Sequence, residues 1–299
     1  MEIKLVLWGI GKIYNSMLNL LKFYTSANQL SVIGITAGSL PDCSTLDGWN
    51  LISTKDLSTV NYDYLMVMSD DYFEEIVNTA TDMVGVPRDK IVSYHILEIP
   101  YFNFQEYDLL KRSRVSIVSN NCWGGMVYNT LGMECLSPFK NISFSARDYI
   151  RLLGNLEHYL SIDPVWRGKT EMDINQNREV PLLELDDIFI KCNHDPNAEI
   201  AISNWKRRRD KFNWNNIFVE MYTEKPEVEE EFGEVSGQYH HRICFVPYEP
   251  HEEYSMQLPM MPGQAKFYET VNGAAGTGKN GLVYDILQIL NTNKKYRII

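Results

Sequence analysis

Between Ile3 and Tyr94, short runs rich in β-branched residues alternate with stretches whose apolar positions recur at helical spacing. Ile3–Trp8 reads as a strand, and Gly9-Ile10-Gly11-Lys12 as the turn that follows it. From Ile13 to Tyr24 the residues Ile13, Met17, Leu18, Leu20, Leu21 and Phe23 mark a helix. A second strand spans Ser31–Ala37 and a third Asp63–Met68, which enters a helix cap at Ser69-Asp70-Asp71. A helix over Tyr72–Met83 and a strand over Lys90–Tyr94 complete the series. Strand–helix–strand alternation of this kind specifies a parallel sheet with right-handed crossovers.

The pattern then repeats on a larger scale. Ile99-Pro100-Tyr101-Phe102-Asn103-Phe104 is a boundary, because Pro100 disfavours helix just before it. A helix over Glu106–Arg114 feeds the strand Val115–Val118, and a helix after Gly124-Gly125 stops near Gly132. Asn141–Ala146 reads as a strand, and a long helix runs from Arg147 to about Leu160. Pro181–Ile190 has a buried strand pattern, and Ala198–Phe212 is a helix with a basic outer face. Asn216–Met221 and Arg242–Val246 are strands flanking an acidic helix around Glu227–Glu231, and Tyr284–Leu290 closes the chain as a helix. The expected fold class is therefore α/β, with two Rossmann-like three-layer domains built on mainly parallel sheets. Residues 1–98 form the first domain, 99–113 a linker helix, and 114–299 the second domain.

Composition narrows the function. A net charge of −11 argues against a nucleic-acid or membrane-surface binder, which needs a basic face. The five cysteines are scattered, without a C-x-x-C, so neither a disulfide framework nor a zinc site is expected. No metal is expected elsewhere either, since strand alternation sends His240 and His241 to opposite faces. With no signal-peptide pattern and no apolar run near the roughly 18 residues that span a bilayer, a cytoplasmic location without stable membrane insertion is expected.

Two turns stand out as ligand sites. Gly9 and Gly11, with Lys12, either permit close approach of a phosphate to a helix N-terminus or serve only the turn, and Ser69 ends the third strand. A dinucleotide is disfavoured there: Tyr14 occupies the third position of the glycine pattern, and the second strand ends in Ile35-Thr36-Ala37-Gly38 without an acid for the ribose. The richer turn is Ser119-Asn120-Asn121-Cys122-Trp123-Gly124-Gly125 at the carboxyl end of a strand. Cys122 reads either as a nucleophile at a helix N-terminus or as a small residue in a tight turn. Asn120 and Asn121 present amides to sugar hydroxyls, Trp123 offers a stacking face, and the Gly124 and Gly125 N–H groups suit a phosphate or an oxyanion. Asp187 is a site acid or a turn cap, and His194 a general base or a solvated loop residue. Trp205 and Trp214 read as core anchors, and Gly276–Gly281 as a glycine-rich loop lacking P-loop spacing.

Two resemblances follow from these blocks. Leu7–Lys12, Gly48–Ile52, Tyr62–Ser69 and Val86–Ile91 are similar to a small Rossmann module found at the N-terminus of sugar acyltransferases and attached to sugar C-methyltransferases. That resemblance implies a nucleotide-linked sugar as ligand. Ser119–Gly125 with Tyr128, Leu131-Gly132 and Ser137-Pro138-Phe139 resembles the domain-of-unknown-function 1919 family. Asp187-Ile188, Trp205–Arg208 and Asn213–Val219 match its later blocks, over roughly residues 113–291. The resemblance implies exopolysaccharide or capsular-polysaccharide biosynthesis, brings Tyr128 into the ligand site, and sets Arg208 against Asp187 or a ligand phosphate. The expected activity is a transferase acting on a sugar or nucleotide sugar, with no cofactor specified and homo-oligomerisation left open. A non-catalytic nucleotide-sugar-binding protein and an S-adenosylmethionine-dependent methyltransferase are the alternatives.

Overall fold

A computed structural model describes residues 2–99, 102–173, 177–260, 266–273 and 285–292. The chain divides into two compact units, Met1–Leu109 with Leu131–Met133, and Leu110–Thr130 with Glu134–Ile299. The expected glycine-rich loop at Gly276–Gly281 lies outside the described residues.

In the first unit, β1 (Ile3–Trp8) is followed by α1 (Lys12–Ser26) and β2 (Leu30–Thr36). A two-residue hairpin joins β3 (Thr45–Leu46) to β4 (Trp49–Asn50). Then come β5 (Tyr64–Val67), α2 (Phe73–Asn78) and β6 (Ile91–Ser93). The main sheet is parallel, in the order β2-β1-β5-β6. Its central strands are almost wholly buried on both faces, which is why they read as apolar runs rather than as alternations. The chain winds from β1 outward to β2, then returns past β1 to β5, so the order reverses at the carboxyl ends of β1 and β5.

Close to that edge, His95 is held between two carboxylates. Its Nδ1 lies 2.7 Å from Glu98 and its Nε2 2.8 Å from Asp70, which also accepts the Tyr94 hydroxyl at 2.7 Å. Partial burial lowers the imidazole pKa, but the hydrogen bonds to Glu98 and Asp70 outweigh it and the net shift is upward. The charged imidazole therefore contributes stability that is complete below its ordinary value near 6.5 and is lost as the pH rises through its folded-state value. Thermal melts of the wild type and His95→Gln are expected to differ more at pH 5.5 than at pH 8. Equal differences at both pH values would refute this.

Helix α3 (Phe104–Ser113) leads into the second unit. There β7 (Ser116–Ser119) and α4 (Trp123–Thr130) are followed by α5 (Ala146–Gly154) and α6 (Leu156–Ser161). The strands β8 (Val165–Asp173), β9 (Arg178–Leu185) and β10 (Ile188–Lys191) come next. After them run α7 (Ala198–Arg209), β11 (Ile217–Tyr222), α8 (Pro226–Ser236), β12 (His241–Val246) and β13 (Ser255–Gln257). The described remainder holds α9 (Phe267–Gly273) and α10 (Ile286–Thr292). One sheet is parallel, ordered β7-β11-β12-β13; the other, β8-β9-β10, is antiparallel. The fold is thus mixed α/β, with parallel sheets in both units.

Three expectations need correction. Asn141–Ala146 is no strand: it makes one isolated bridge, Ser143 to Lys191, because its side chains and backbone are drawn to the loop after β10. The helix expected to run from Arg147 to Leu160 breaks at Asn155, whose φ of −151° and ψ of 55° leave the helical region. The strand pattern over Pro181–Ile190 is divided between two antiparallel strands, β9 and β10, since Asp186 takes φ of 56° and reverses the chain.

Candidate functional site

The carboxyl ends of β7 and β11 lie side by side, in a register that pairs Glu220 with Ser119. The Tyr149 hydroxyl sits 2.7 Å from both Val118 O and Glu220 O, tying the two strands together from below. One step beyond the ladder, Asn120 acts as a surrogate peptide group: its Nδ2 donates to Tyr222 O and its Oδ1 accepts from Tyr222 N, both at 3.2 Å. Asn121 Oδ1 accepts the Trp123 N–H at 2.6 Å, satisfying a donor in the first turn of α4. Asn121 Nδ2 donates to Asn120 Oδ1 and to Glu220 Oε1, each at 3.0 Å. Both asparagines are buried, with their amides spent on protein groups, so they build the turn and do not present hydrogen bonds to a sugar.

Other residues expected to bind ligand are structural for equally definite reasons. Trp123 is fully buried, its ring stacked 6.0 Å from Phe218 and tilted against Phe245 at 5.7 Å, which makes it a core anchor and not a stacking platform. The buried Tyr128 hydroxyl donates to Val115 O at 2.7 Å and accepts from Ile117 N at 2.9 Å, so it braces β7. Gly124 gives its N–H to Ser119 Oγ at 3.1 Å, and a Cβ there would meet Ile117 Cγ2 at 2.7 Å and collide with Ser119 Oγ. Absence of a side chain lets α4 lie directly on β7. Gly124→Ala is therefore expected to cost about 1–3 kcal/mol by overpacking, read as a lower denaturant midpoint; an unchanged midpoint would contradict this packing. Gly125 similarly faces Lys140, whose Cγ lies 3.0 Å from where a Cβ would stand.

Cys122 remains as the half-buried residue at the mouth of this turn, just before α4. Its Sγ lies 3.4 Å from His194 Nε2 and 3.9 Å from Asn193 Nδ2. The loop Cys192-Asn193-His194 that follows β10 is held in place by backbone and side-chain contacts. His194 N donates to Asn141 O, Arg178 donates to Asn193 O at 2.8 Å, and Asn193 Nδ2 donates to Ser143 Oγ at 3.1 Å. His194 itself is exposed, so the thiol–imidazole pair has a solvent side. Burial pushes the Cys122 thiol above its ordinary value; the Asn193 hydrogen bond opposes this, and the charges of Asp173 and Glu220 add to it. Burial thus favours the thiol form of the sulfur, and an imidazole nitrogen stands beside it.

Glu220 was missed by sequence reasoning. It sits in the middle of β11, fully buried, with Oε2 lacking any hydrogen-bond partner among the described residues. Burial pushes its carboxyl up to about 8, against the hydrogen bonds from Asn121 and Ser119. The signal was present: one acid inside the apolar run Ile217–Tyr222 is costly unless neutral or paired. Asp173, Asn193 and Ser143 carried no such signal, because nothing in their local pattern points toward Cys122.

Asp187 is engaged by two side chains of the preceding helices. It sits in the β9–β10 turn, where it accepts from the Tyr159 hydroxyl at 2.6 Å and Arg151 Nη1 at 2.9 Å; the Tyr159 bond, then the Arg151 charge, hold its carboxyl below the usual range. Arg208 does not pair with it, donating instead to Lys140 O at 2.8 Å. Lys206 and Arg209 share Asp163, each at 2.7 Å, so the basic run is divided among several partners. Trp205 is buried as expected, but Trp214 is half exposed in the turn before β11, edge-on to Phe212. Among the described residues, no three His, Cys, Asp or Glu side chains are grouped to hold a metal ion.

In the first unit, Gly9 (φ 125°) lies against Met68 O at the point where the strand order reverses. Gly11 precedes α1 without a side-chain cap, Lys12 is exposed, and Ser69 Oγ accepts the Tyr72 N–H at 3.2 Å. Tyr14, standing where the dinucleotide pattern needs a small residue, is buried and donates to Asp47 at 2.7 Å.

Residues 93–284 match the family described as a domain of unknown function (DUF1919). The chain belongs to that family. Residues 1–92 match a second family, described as C2185-like, N-terminal. In this DUF1919 member, Cys122, His194 and Glu220 all fall inside the matched region. A relative from Haemophilus influenzae, itself an uncharacterized protein, is 28% identical over 121 residues. The match takes in 40% of this chain and 55%, about half, of that relative. No helix among the described residues is long and apolar enough to cross a membrane.

Proposed function

We propose that this chain is a thiol-dependent transferase of exopolysaccharide or capsular-polysaccharide biosynthesis, acting on a sugar or nucleotide sugar. The observation that carries the reading is the 3.4 Å approach of His194 Nε2 to Cys122 Sγ at the start of α4. Thiol chemistry suits acyl transfer. His194 takes the thiol proton as Sγ attacks the acyl carbonyl carbon, and the departing group leaves with that proton. A sugar hydroxyl then attacks the thioester, loses its own proton to His194, and the proton returns to the sulfur as the thiol is released. The first unit, read as Rossmann-like, binds a nucleotide at Gly9, Gly11, Lys12 and Ser69, and the cytoplasm is the compartment that supplies such substrates.

A non-catalytic binding protein is the second reading. It is favoured by the upward push on the Cys122 thiol, which leaves little thiolate without a base. Thermal-shift measurements with UDP-, GDP- and TDP-sugars, acyl-CoA and S-adenosylmethionine separate the cases. The transferase reading expects stabilisation by a sugar nucleotide and, after incubation with acyl-CoA, an acyl mass adduct on Cys122. Sugar-nucleotide binding without an adduct favours the binding protein, S-adenosylmethionine alone favours a methyltransferase, and silence from all compounds overturns every version.

A further inference from the structure

Asn193 reaches the same sulfur as His194, from the position before it on the loop. Its Nδ2 lies 3.9 Å from Cys122 Sγ, where His194 Nε2 lies at 3.4 Å. Consecutive residues thus bring a base and a neutral hydrogen-bond donor to one thiol. The turn that carries the thiol has committed its own donors elsewhere. Of the backbone N–H groups that follow Cys122, Trp123 N is spent on Asn121 Oδ1 at 2.6 Å and Gly124 N on Ser119 Oγ at 3.1 Å. The side-chain amides that precede it are spent as well. Asn120 Nδ2 donates to Tyr222 O at 3.2 Å, and Asn121 Nδ2 to Asn120 Oδ1 and Glu220 Oε1, each at 3.0 Å. Of the side chains of Asn120, Asn121 and Asn193, that of Asn193 is the one whose amide is aimed at the sulfur.

That amide is fixed by its surroundings. Asn193 Nδ2 lies 3.1 Å from Ser143 Oγ, and the Ser143 hydroxyl lies 3.3 Å from Asn193 Oδ1. Ser143 is itself bridged to Lys191 through both of its backbone groups, each at 2.9 Å. On the other side of the loop, Arg178 Nη2 donates to Asn193 O at 2.8 Å, and the buried Cys192 gives its N–H to Pro181 O at 2.9 Å. A donor held in this way meets a forming charge without reorganising first, which is what makes such groups effective in catalysis. Its distance suits that task. In a tetrahedral adduct on Sγ the oxygen stands two bonds from the sulfur, and a donor 3.9 Å from Sγ comes within about 2.7–3.1 Å of that oxygen.

We propose that Asn193 is a catalytic residue, the oxyanion donor of the Cys122–His194 site, an assignment that rests on the acyl-transfer reading of Cys122. As Sγ attacks an acyl carbonyl carbon, the S–C bond forms and the thiol proton passes to His194 Nε2. The carbonyl π pair moves onto oxygen, where it accepts the Asn193 Nδ2–H, and returns as the bond to the leaving group breaks. Two reagents test this: p-nitrophenyl acetate, which acylates a thiol through an oxyanion, and iodoacetamide, which alkylates it at a saturated carbon and forms none. Both reactions are followed by mass on the peptide that carries Cys122, with Cys122→Ser as the blank. Asn193→Ala is expected to slow acylation about a hundredfold or more, while alkylation slows severalfold at most, which also shows that the turn is intact. Asn193→Asp keeps an acceptor for the Ser143 hydroxyl but has no N–H, so it is expected to lose at least as much acylation even if the alanine variant does not fold. Acylation unchanged in these variants, or acylation and alkylation slowed by the same factor, would overturn the assignment and leave Cys122 as the nucleophile. A wild-type Cys122 that is never acylated would remove the acyl-transfer reading and the role of Asn193 with it.

Discussion

Glu220→Gln is expected to gain stability on the wild type steadily as the pH is raised from about 4.5 to 8. Glu220 is fully buried on β11, and its carboxyl titrates near 8 in the fold against an ordinary 4.5. Between those values the unfolded chain has released this proton and the folded chain still holds it. Wild-type stability therefore falls by roughly 1.4 kcal/mol per pH unit, several kcal/mol in all, from this group alone. Below the lower value both states are protonated and the contribution is complete; above the upper value both are ionised and the decline stops. Glutamine keeps an acceptor for Asn121 Nδ2 and cannot ionise, so its curve lacks this fall. The unpartnered Oε2 becomes an unpartnered amide, a cost that shifts the whole curve without tilting it. Urea denaturation at intervals of half a pH unit provides the comparison. Parallel curves for the two proteins would show that Glu220 is ionised in the fold.

On the proposed acyl-transfer mechanism, loss of the Cys122 sulfur is expected to lower the rate of sugar acylation at least a thousandfold, about 4 kcal/mol of barrier. Cys122→Ser preserves the shape of the turn but replaces the proposed nucleophile with one that a single imidazole activates poorly. His194→Gln is expected to give a loss of similar order, because the proposed base, whose Nε2 lies 3.4 Å from the sulfur, is then gone. The double variant should be little worse than either single one, as befits groups that act as a unit. Both variants should melt within a few degrees of the wild type, since His194 is exposed and Cys122 half-buried. Retention of near-full activity by Cys122→Ser would remove covalent catalysis from this site.

The contrast between Asp187 and Glu220 shows where sequence reading reached and where it stopped. Both are acids beside apolar runs, and the rule that buried charge is expensive applies to each. Asp187 sits in a two-residue hairpin turn, half in water, while Glu220 points into the core at the end of the β7–β11 ladder. Which acid is buried depends on which strand lies beside which, and that is a pairing across about a hundred residues. Trp123 and the asparagines illustrate the same limit. Their chemistry marked the turn correctly, but their partners on β11 and β12 consume it internally. Strand β8 was missed for a different reason. It is an exposed edge, anchored by Arg167 and Lys169 on Glu184, so its sequence lacks the apolar alternation by which a half-buried strand is recognised.

By itself the sequence determined what short-range physics controls. Apolar periodicity specified strands β1, β2, β5, β6, β7, β11 and β12 and most of the helices between them, the order of the Ser119–Gly125 blocks carried the family, and helical register placed Cys122 at a helix start. Tertiary structure alone decided the antiparallel β8–β10 sheet, the burial of the Glu220 carboxyl, and the meeting of Cys122 with His194 across 72 residues. Local pattern records which face of an element is buried; only the packed chain determines what that face is buried against.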